Sequence, residues 1–311
     1  MGTVSHVLAE RADREGSATA LVFPDEHVEL TFADIASRAR DFSRALAVRG
    51  VSAGDRFAIM MGNGLSYVTC LLGAWRLGAA VVPIDPMLKG PDARDLIMAS
   101  GAKALAIDQK RLVELHGLRR ECTTLRATIV AGARSPEDGD IELDAALAAA
   151  AHSDHHQLLN VASDAVAVES YRAHTDGFEP VRRTHADLLS DANALTSELH
   201  LVETDRAICA IQLGHRDGVT ALVAALTSGG QCVVPERFDG RRFWELVAAQ
   251  RATWLALVPT QFYDLLFGGP PQSGSHTSVR LAVVTGSAIP AQAREDFEQK
   301  FGIQIRGIPP A

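Results

Sequence analysis

Residues 56–84 read RFAIMMGNGLSYVTCLLGAWRLGAAVVPI, and their pattern sets the fold class. Arg56 to Met61 is an apolar run that follows a tight Ala53-Gly54-Asp55 turn, the signature of a buried strand. Ser66 to Leu77 is long enough for a helix, with Gly78 placed to end it as a C-cap. Ala79 to Ile84 is a second apolar strand. Strand, helix and strand at this spacing make a βαβ unit, so the two strands run parallel through a right-handed crossover.

The alternation continues on both sides. Upstream, residues 3–15 have helical spacing, TALVF (19–23) is strand-like, and a helix opens behind Thr31 as N-cap and ends at Gly50. Downstream, Asp92 to Ser100 is a helix and Ala104 to Ile107 a strand. Between Arg134 and Leu159 the chain changes character: a polar SPEDGD loop (135–140), an alanine-rich helix from Ile141 to Ala151, then His152-Ser153-Asp154-His155-His156. His152, Asp154, His155 and His156 have metal-capable side chains but no second cluster at zinc spacing, so they are read as surface residues and no metal site is assigned.

A second α/β series follows. Strands are expected at 205–213, 231–235, 254–258, 279–284 and from 303, and helices at 216–228, 243–250, 261–267 and 291–301. The expected architecture is α/β, with two stacked α/β subdomains at residues 1–160 and 161–311.

The chain has 311 residues, 47 % of them apolar, which suits a globular protein with a sizeable core. A net charge of −8 argues against nucleic acid or an anionic membrane as partner. The N-terminal stretch MGTVSHVLAERADREG has no apolar segment of signal-peptide type, and no apolar run reaches a membrane span. Cys70, Cys122, Cys209 and Cys232 are scattered without a C-x-x-C pair, so reduced core thiols and a cytoplasmic location are expected.

The stretch from Asp164 to His185, DAVAVESYRAHTDGFEPVRRTH, carries the functional argument. It reads as a strand, a polar loop and a Thr-His pair opening a helix, a frame in which backbone N–H groups and a helix dipole can hold phosphate. It resembles the phosphate loop of the adenylate-forming superfamily, the acyl-CoA synthetases, adenylation domains and luciferases, whose pattern is roughly D-x-A-x-I-x-Y-T-S-G-T-T-G-x-P-K-G-V-x-L-T-H. Asp164, Thr175, Val181, Thr184 and His185 fall in place without a gap. The chemical part departs. Tyr171, Arg172, Ala173, His174, Thr175 and Asp176 stand for Thr-Ser-Gly-Thr-Thr-Gly, and Phe178, Glu179 and Pro180 for Pro-Lys-Gly.

The resemblance is densest over residues 30–86, where L-T-F, G-V-x-x-G-D-R and V-P-I-D-P match the family, and it extends along nearly all of the chain. It includes His215 and Gly218 of a P-x-x-H-x-x-G-like loop, Arg237-Phe238-Asp239, Val258-Pro259-Thr260, and Gly286-Ser287-Ala288-Ile289-Pro290 in place of the loop that packs on adenine. After Gly307 the sequence gives Ile308-Pro309-Pro310-Ala311, where the family continues into Y-G-x-T-E, a hinge and a C-terminal domain with a catalytic lysine. The resemblance therefore implies the N-terminal part of an adenylate-forming enzyme, with the C-terminal domain absent.

The candidate residues follow from these matches. Arg172, His174, Thr175, Gly177 and Thr184 form a degenerate phosphate loop that could still meet an anion; alternatively residues 170–181 are an ordinary surface loop whose charges pair with one another. Gly286, Ser287 and Ala288 are the equivalent of the adenine loop, or a tight strand-to-helix turn. His215, Gly218 and Thr260 are candidates for the acyl pocket, His215 equally for a helix cap. No catalytic residue is assigned; His215 and His174 are the candidates for an acid or base, with no Ser or Cys partner visible.

The function implied is that of a degenerate homologue which binds a small carboxylate or acyl group, or serves as a partner protein in a biosynthetic complex, without forming acyl-AMP alone. The alternative is an acyl-CoA synthetase-like ligase completed by a second chain. ATP or AMP with Mg²⁺ is expected as cofactor only under that alternative. A protein partner or a second copy could cover the face left by the missing domain.

Overall fold

A computed structural model describes the chain apart from residues 1, 116, 133–139, 152–159, 176, 269–275, 277, 287–288 and 308–311. The histidine-rich stretch 152–156, Asp176, Ser287, Ala288 and the last four residues thus lie outside the described residues. The chain divides into two compact units. The first comprises residues 1–16 and 32–189, the second residues 17–31 and 190–311. The boundary expected near residue 160 stands instead near 190, and one early segment leaves the first unit altogether.

The first unit is built on the βαβ element read from residues 56–84. Strand β3 (Arg56–Met60), helix α3 (Leu65–Leu77) and strand β4 (Ala80–Pro83) follow in order, and β3 and β4 pair in parallel. Helix α3 stops at Gly78, whose φ of +78° is left-handed. Around this pair the sheet adds β5 (Ala104–Asp108), β6 (Ala127–Ala131), β7 (Asp140–Glu142), β8 (Val166–His174) and β9 (Gly177–Thr184), in the order β7-β6-β5-β3-β4-β8-β9. All neighbours are parallel except β8 and β9.

Helices α1 (Val4–Glu15), α2 (Phe32–Val48), α4 (Gly90–Ser100) and α7 (Leu143–Ala151) bury their apolar sides in this unit. Helix α2 packs on α3 and α7, and the rings of Phe42 and Phe57 meet at 5.7 Å between α2 and β3. The buried indole of Trp75 on α3 donates to the carbonyl of Ala167 on β8 at 2.9 Å, which satisfies its one polar atom and fixes the helix against the strand.

The second unit holds β1 (Thr19–Phe23), β2 (Val28–Thr31), β10 (Arg206–Cys209), β11 (Gln231–Val233), β12 (Trp254–Leu257), β13 (Leu281–Val284) and β14 (Gln304–Gly307). Their order is β14-β13-β12-β10-β11-β1-β2, parallel but for the β1–β2 hairpin at one edge. Helices α9 (Arg216–Thr227), α10 (Phe243–Gln250), α11 (Pro259–Phe267) and α12 (Ala291–Phe301) connect these strands. Phe262, Phe297, Phe301 and Trp244 fill the core beneath them, with ring centroids 4.6–4.9 Å apart along that series.

Asp205, just before β10, is a buried charge of this unit. It accepts from Thr253 Oγ1 at 2.6 Å, from the backbone of Val202 at 2.9 Å, and from the Arg280 guanidinium at 2.9 Å and 3.3 Å. Burial alone would raise its pKa, but the Arg280 and Thr253 hydrogen bonds hold it below the ordinary carboxylate value. This network sits at the amino-terminal edge of the parallel strands.

Candidate functional site

The segment read from sequence as a polar loop over residues 170–181 is an antiparallel β-hairpin. Strands β8 and β9 pair without interruption from Val168–Arg183 to His174–Gly177. The physical reason is legible afterwards. Gly177, the first residue of β9, has a φ of +134° that glycine allows next to the turn, and the residues around it are not the glycines that keep a loop open. Tyr171 and Phe178 then pack against the apolar cluster around Met60, Ile84 and Ile107 and anchor the two strands.

The candidate phosphate-loop residues occupy this hairpin in pairs. Arg172 stands opposite Glu179 in the ladder, and His174 Nε2 lies 3.0 Å from Glu179 Oε2 on the exposed surface. Glu179 is where the resemblance puts a lysine, and it stands opposite Arg172 in the ladder and beside His174, two of the candidates for an anion. Thr184 ends β9 and caps the following helix, α8 (His185–Leu199). Its backbone and hydroxyl both donate to Asp187 Oδ2 at 2.8 Å, and its Oγ1 accepts from the Asp187 backbone at 3.1 Å. Thr175 and Gly177 are exposed at the hairpin end.

One buried charge in this hairpin was missed from sequence. Glu169 is 2 % exposed, and its carboxylate accepts from Arg56 Nε at 3.0 Å, Arg56 Nη2 at 3.4 Å, Arg182 Nε at 2.7 Å and the hydroxyl of Tyr171. Burial would raise its pKa, but the hydrogen bonds from Tyr171, Arg182 and Arg56 keep it below the ordinary value. The available signal was a lone glutamate inside the apolar run VAVES, which a buried strand tolerates only when the charge is paired.

His185 presents the opposite case. It is fully buried, its ring lies edge-on 6.0 Å from Trp75, and neither ring nitrogen has a hydrogen-bond partner. Burial pushes its pKa down to about 4, so the imidazole is neutral at pH 7.

In the second unit the strand order reverses at β10: the chain moves to β11 on one side, then returns past β10 to β12 on the other. In open parallel sheets the crevice outside the carboxyl ends of the strands at such a point is the usual ligand site. Gln261 spans its two lips. Its buried amide donates to the carbonyl of Ala210, just after β10, at 3.0 Å, and its oxygen accepts from the backbone of Val258, just after β12, at 3.1 Å.

The remaining sequence candidates gather along this edge. His215 ends the loop after β10 and acts as a cap: its Nδ1 accepts from the backbone of Asp217 at 3.3 Å, and its side chain is largely exposed. Gly218 is forced by close approach, because a Cβ there would lie 2.4 Å from the carbonyl oxygen of Gln212. Thr260 lies in the first turn of α11, beside Pro259. Gly286 follows β13 at a φ of +90° with open space around it. A cavity of about 310 Å³ opens on the same edge of this unit, past β1 and β11, where Arg237, Arg242, Asp25, Asp239 and Glu245 bring both signs of charge. Among the described residues no group of three or more His, Cys, Asp or Glu side chains is placed to hold a metal ion, and no helix is long and apolar enough to cross a membrane. All four cysteines are buried free thiols.

The sequence profile of a family described as AMP-binding enzyme matches residues 8–308. The chain belongs to this family. Among curated AMP-binding relatives, a sulfoacetate–CoA ligase of Cupriavidus necator is 26 % identical over 305 residues, which is 97 % of this chain and 58 % of that protein. A long-chain-fatty-acid–CoA ligase of Mycobacterium tuberculosis is 24 % identical over 270 residues, 83 % of this chain and 50 % of that one. The chain thus spans between half and three-fifths of the length of these relatives.

The fold agrees. An anthranilate–CoA ligase crystallised with anthranoyl-AMP superposes with a TM-score of 0.89 at 21 % identity, over 97 % of this chain and 58 % of that one. The N-terminal domain of a Mycobacterium tuberculosis protein named FACL13, crystallised with an inhibitor, superposes with a TM-score of 0.88 at 21 % identity, over all of this chain and 76 % of that domain. The two parallel-rich sheets are therefore those of the N-terminal domain of adenylate-forming enzymes.

Proposed function

We propose that this AMP-binding family member binds a small carboxylate or acyl group and does not by itself form an acyl-adenylate. The observation that carries this reading is the β8–β9 hairpin. A phosphate cradle needs backbone N–H groups that converge on one point. Residues 168–174 and 177–183 instead pair in an antiparallel ladder, which spreads those groups along two strands. The side chains add to the mismatch: Glu179 opposes an anion, and His174 is engaged with it. Transfer of an adenylyl group depends on positioning and on charge neutralisation around the phosphates, so this segment does not fit the triphosphate.

The acyl side of the reading rests on the crevice at the β10/β12 reversal, with His215, Gly218, Thr260 and Gly286 along its edge and Gln261 bridging it. Thermal melting of the purified chain with ATP·Mg, AMP and a panel of carboxylates and acyl-CoAs tests both halves, because a ligand specific to the folded state raises the melting temperature. The reading expects a rise with at least one carboxylate or acyl compound and none with nucleotide. A rise with ATP·Mg alone overturns it.

The names of the curated relatives favour a second reading. In it the chain contributes to an acid–thiol ligase, which converts an acid to acyl-AMP and then to a thioester, with further residues supplied by another chain or segment. Partial coverage of relatives that are themselves CoA ligases is the observation behind it.

A further inference from the structure

The first unit contains a second polar site, at the opposite edge of its sheet from the β8–β9 turn. Arg56 is the first residue of β3, Ala80 the first of β4 and Val166 the first of β8, and all three line a cavity of about 280 Å³. Glu169 and Arg182 line it as well. The charges do not cancel. Two guanidiniums share one buried carboxylate, and both oxygens of that carboxylate are already committed to Arg56, Arg182 and Tyr171. Arg182 bonds through Nε alone, which leaves both of its terminal nitrogens, and Arg56 leaves Nη1. One positive charge and unbonded guanidinium nitrogens therefore remain on residues that line the cavity, and apart from Asn160 the rest of its wall is small and mostly apolar, with Val161, Ala162 and Ala165.

We propose that this cavity binds a short-chain carboxylate monoanion, its carboxylate on Arg56 and Arg182 and its alkyl part against Val161, Ala162 and Ala165. The buried Glu169 acts as the fixed partner that orients both guanidiniums, as a second carboxylate orients a guanidinium fork for bidentate recognition. The wall selects the ligand class. A wholly polar oxyanion such as inorganic phosphate would strand its remaining oxygens against alanine and valine, whereas an alkyl chain gains by burial there. This site is separate from the β10/β12 crevice and stands independently of the function proposed above.

Calorimetric titration of the whole chain with propionate, butyrate and inorganic phosphate tests it. Propionate and butyrate should bind, butyrate more tightly, and phosphate more weakly than either. Arg182→Gln should weaken butyrate at least tenfold. Because that change also disturbs the Glu169 pairing, Ala162→Phe serves as a second variant: at this exposed position on the cavity rim it obstructs the mouth without touching the ion pairs, and should weaken butyrate at least tenfold while the melting temperature of the free protein stays unchanged. Butyrate affinity unaltered in a folded Ala162→Phe variant, or phosphate binding more tightly than butyrate, overturns the proposal, as does an absence of carboxylate binding to the wild-type chain.

Discussion

His185 should make the stability of the first unit fall between pH 7 and pH 5. The unfolded chain takes up a proton at this residue near its ordinary pKa of 6.5, while in the folded chain burial holds the imidazole neutral down to about 4. Between those values the unfolded state binds more protons, so stability declines as pH declines. At about 1.4 kcal/mol per pH unit the full loss amounts to roughly 3 kcal/mol, with about 2 kcal/mol of it already gone at pH 5. Glu169 and Asp205, whose pKa values are depressed, lose their contribution only at lower pH as they protonate, so they leave this window clear. The experiment is urea unfolding at pH 7, 6 and 5, with hydrogen exchange of residues 65–77 reporting on the first unit. His185→Leu removes the titrating group together with two unpaired ring nitrogens. The wild-type minus variant difference should shift by about 2 kcal/mol across the range, against the wild type at acid pH. A difference that does not change with pH would refute the neutral, unpartnered imidazole.

Other substitutions probe the framework. Gly218→Ala should destabilise the second unit by about 1–3 kcal/mol, since the new methyl meets the Gln212 carbonyl and backbone must move; a midpoint within error of wild type in denaturant titration would count against it. Gln261→Leu leaves the Ala210 carbonyl and the Val258 amide without their side-chain partner, at a cost of about 1–3 kcal/mol, and should weaken any ligand held in the β10/β12 crevice. Asp205→Ala removes the acceptor shared by Arg280, Thr253 and the Val202 amide, but Arg280 is 39 % exposed and keeps the Leu199 carbonyl, so a loss of roughly 1–3 kcal/mol is expected from the same titration. His215→Ala removes a helix cap, so the expected loss of stability is near 1 kcal/mol.

Much of the fold was legible because apolar periodicity is a local signal. The parallel β3–α3–β4 unit, the helices over 4–15, 216–227, 243–250 and 291–301, and the strand series of the second unit all lie where their residues suggest. The short elements escaped. The four-residue β2 pairs with β1 through a bulge, and the three-residue β7 offers too few residues for a period. Strand exchange escaped for a different reason: residues 17–31 join the second unit by pairing with β11 some two hundred positions away, a choice no window of sequence contains.

The candidate site was legible in outline. A resemblance in Asp164–His185 pointed to the segment on which the proposed function rests, and the exchanged residues to the chemistry proposed for it. That the exchange closes the loop into a ladder required the pairing of Glu169 with Arg182 and of His174 with Gly177 to be seen. The roles of Glu169 and Gln261 were likewise hidden, since each acts through partners distant in sequence.

Isotope exchange between pyrophosphate and ATP, run on the purified chain with Mg²⁺ and each carboxylic acid that raises its melting temperature, tests directly whether residues 164–185 still hold a triphosphate. No exchange above the no-enzyme background is expected with any acid, and an Asp176→Gly/Glu179→Lys variant should show none unless the hairpin opens. Acid-dependent exchange by the wild-type chain would contradict the central claim and make the ladder of β8 and β9 compatible with adenylation.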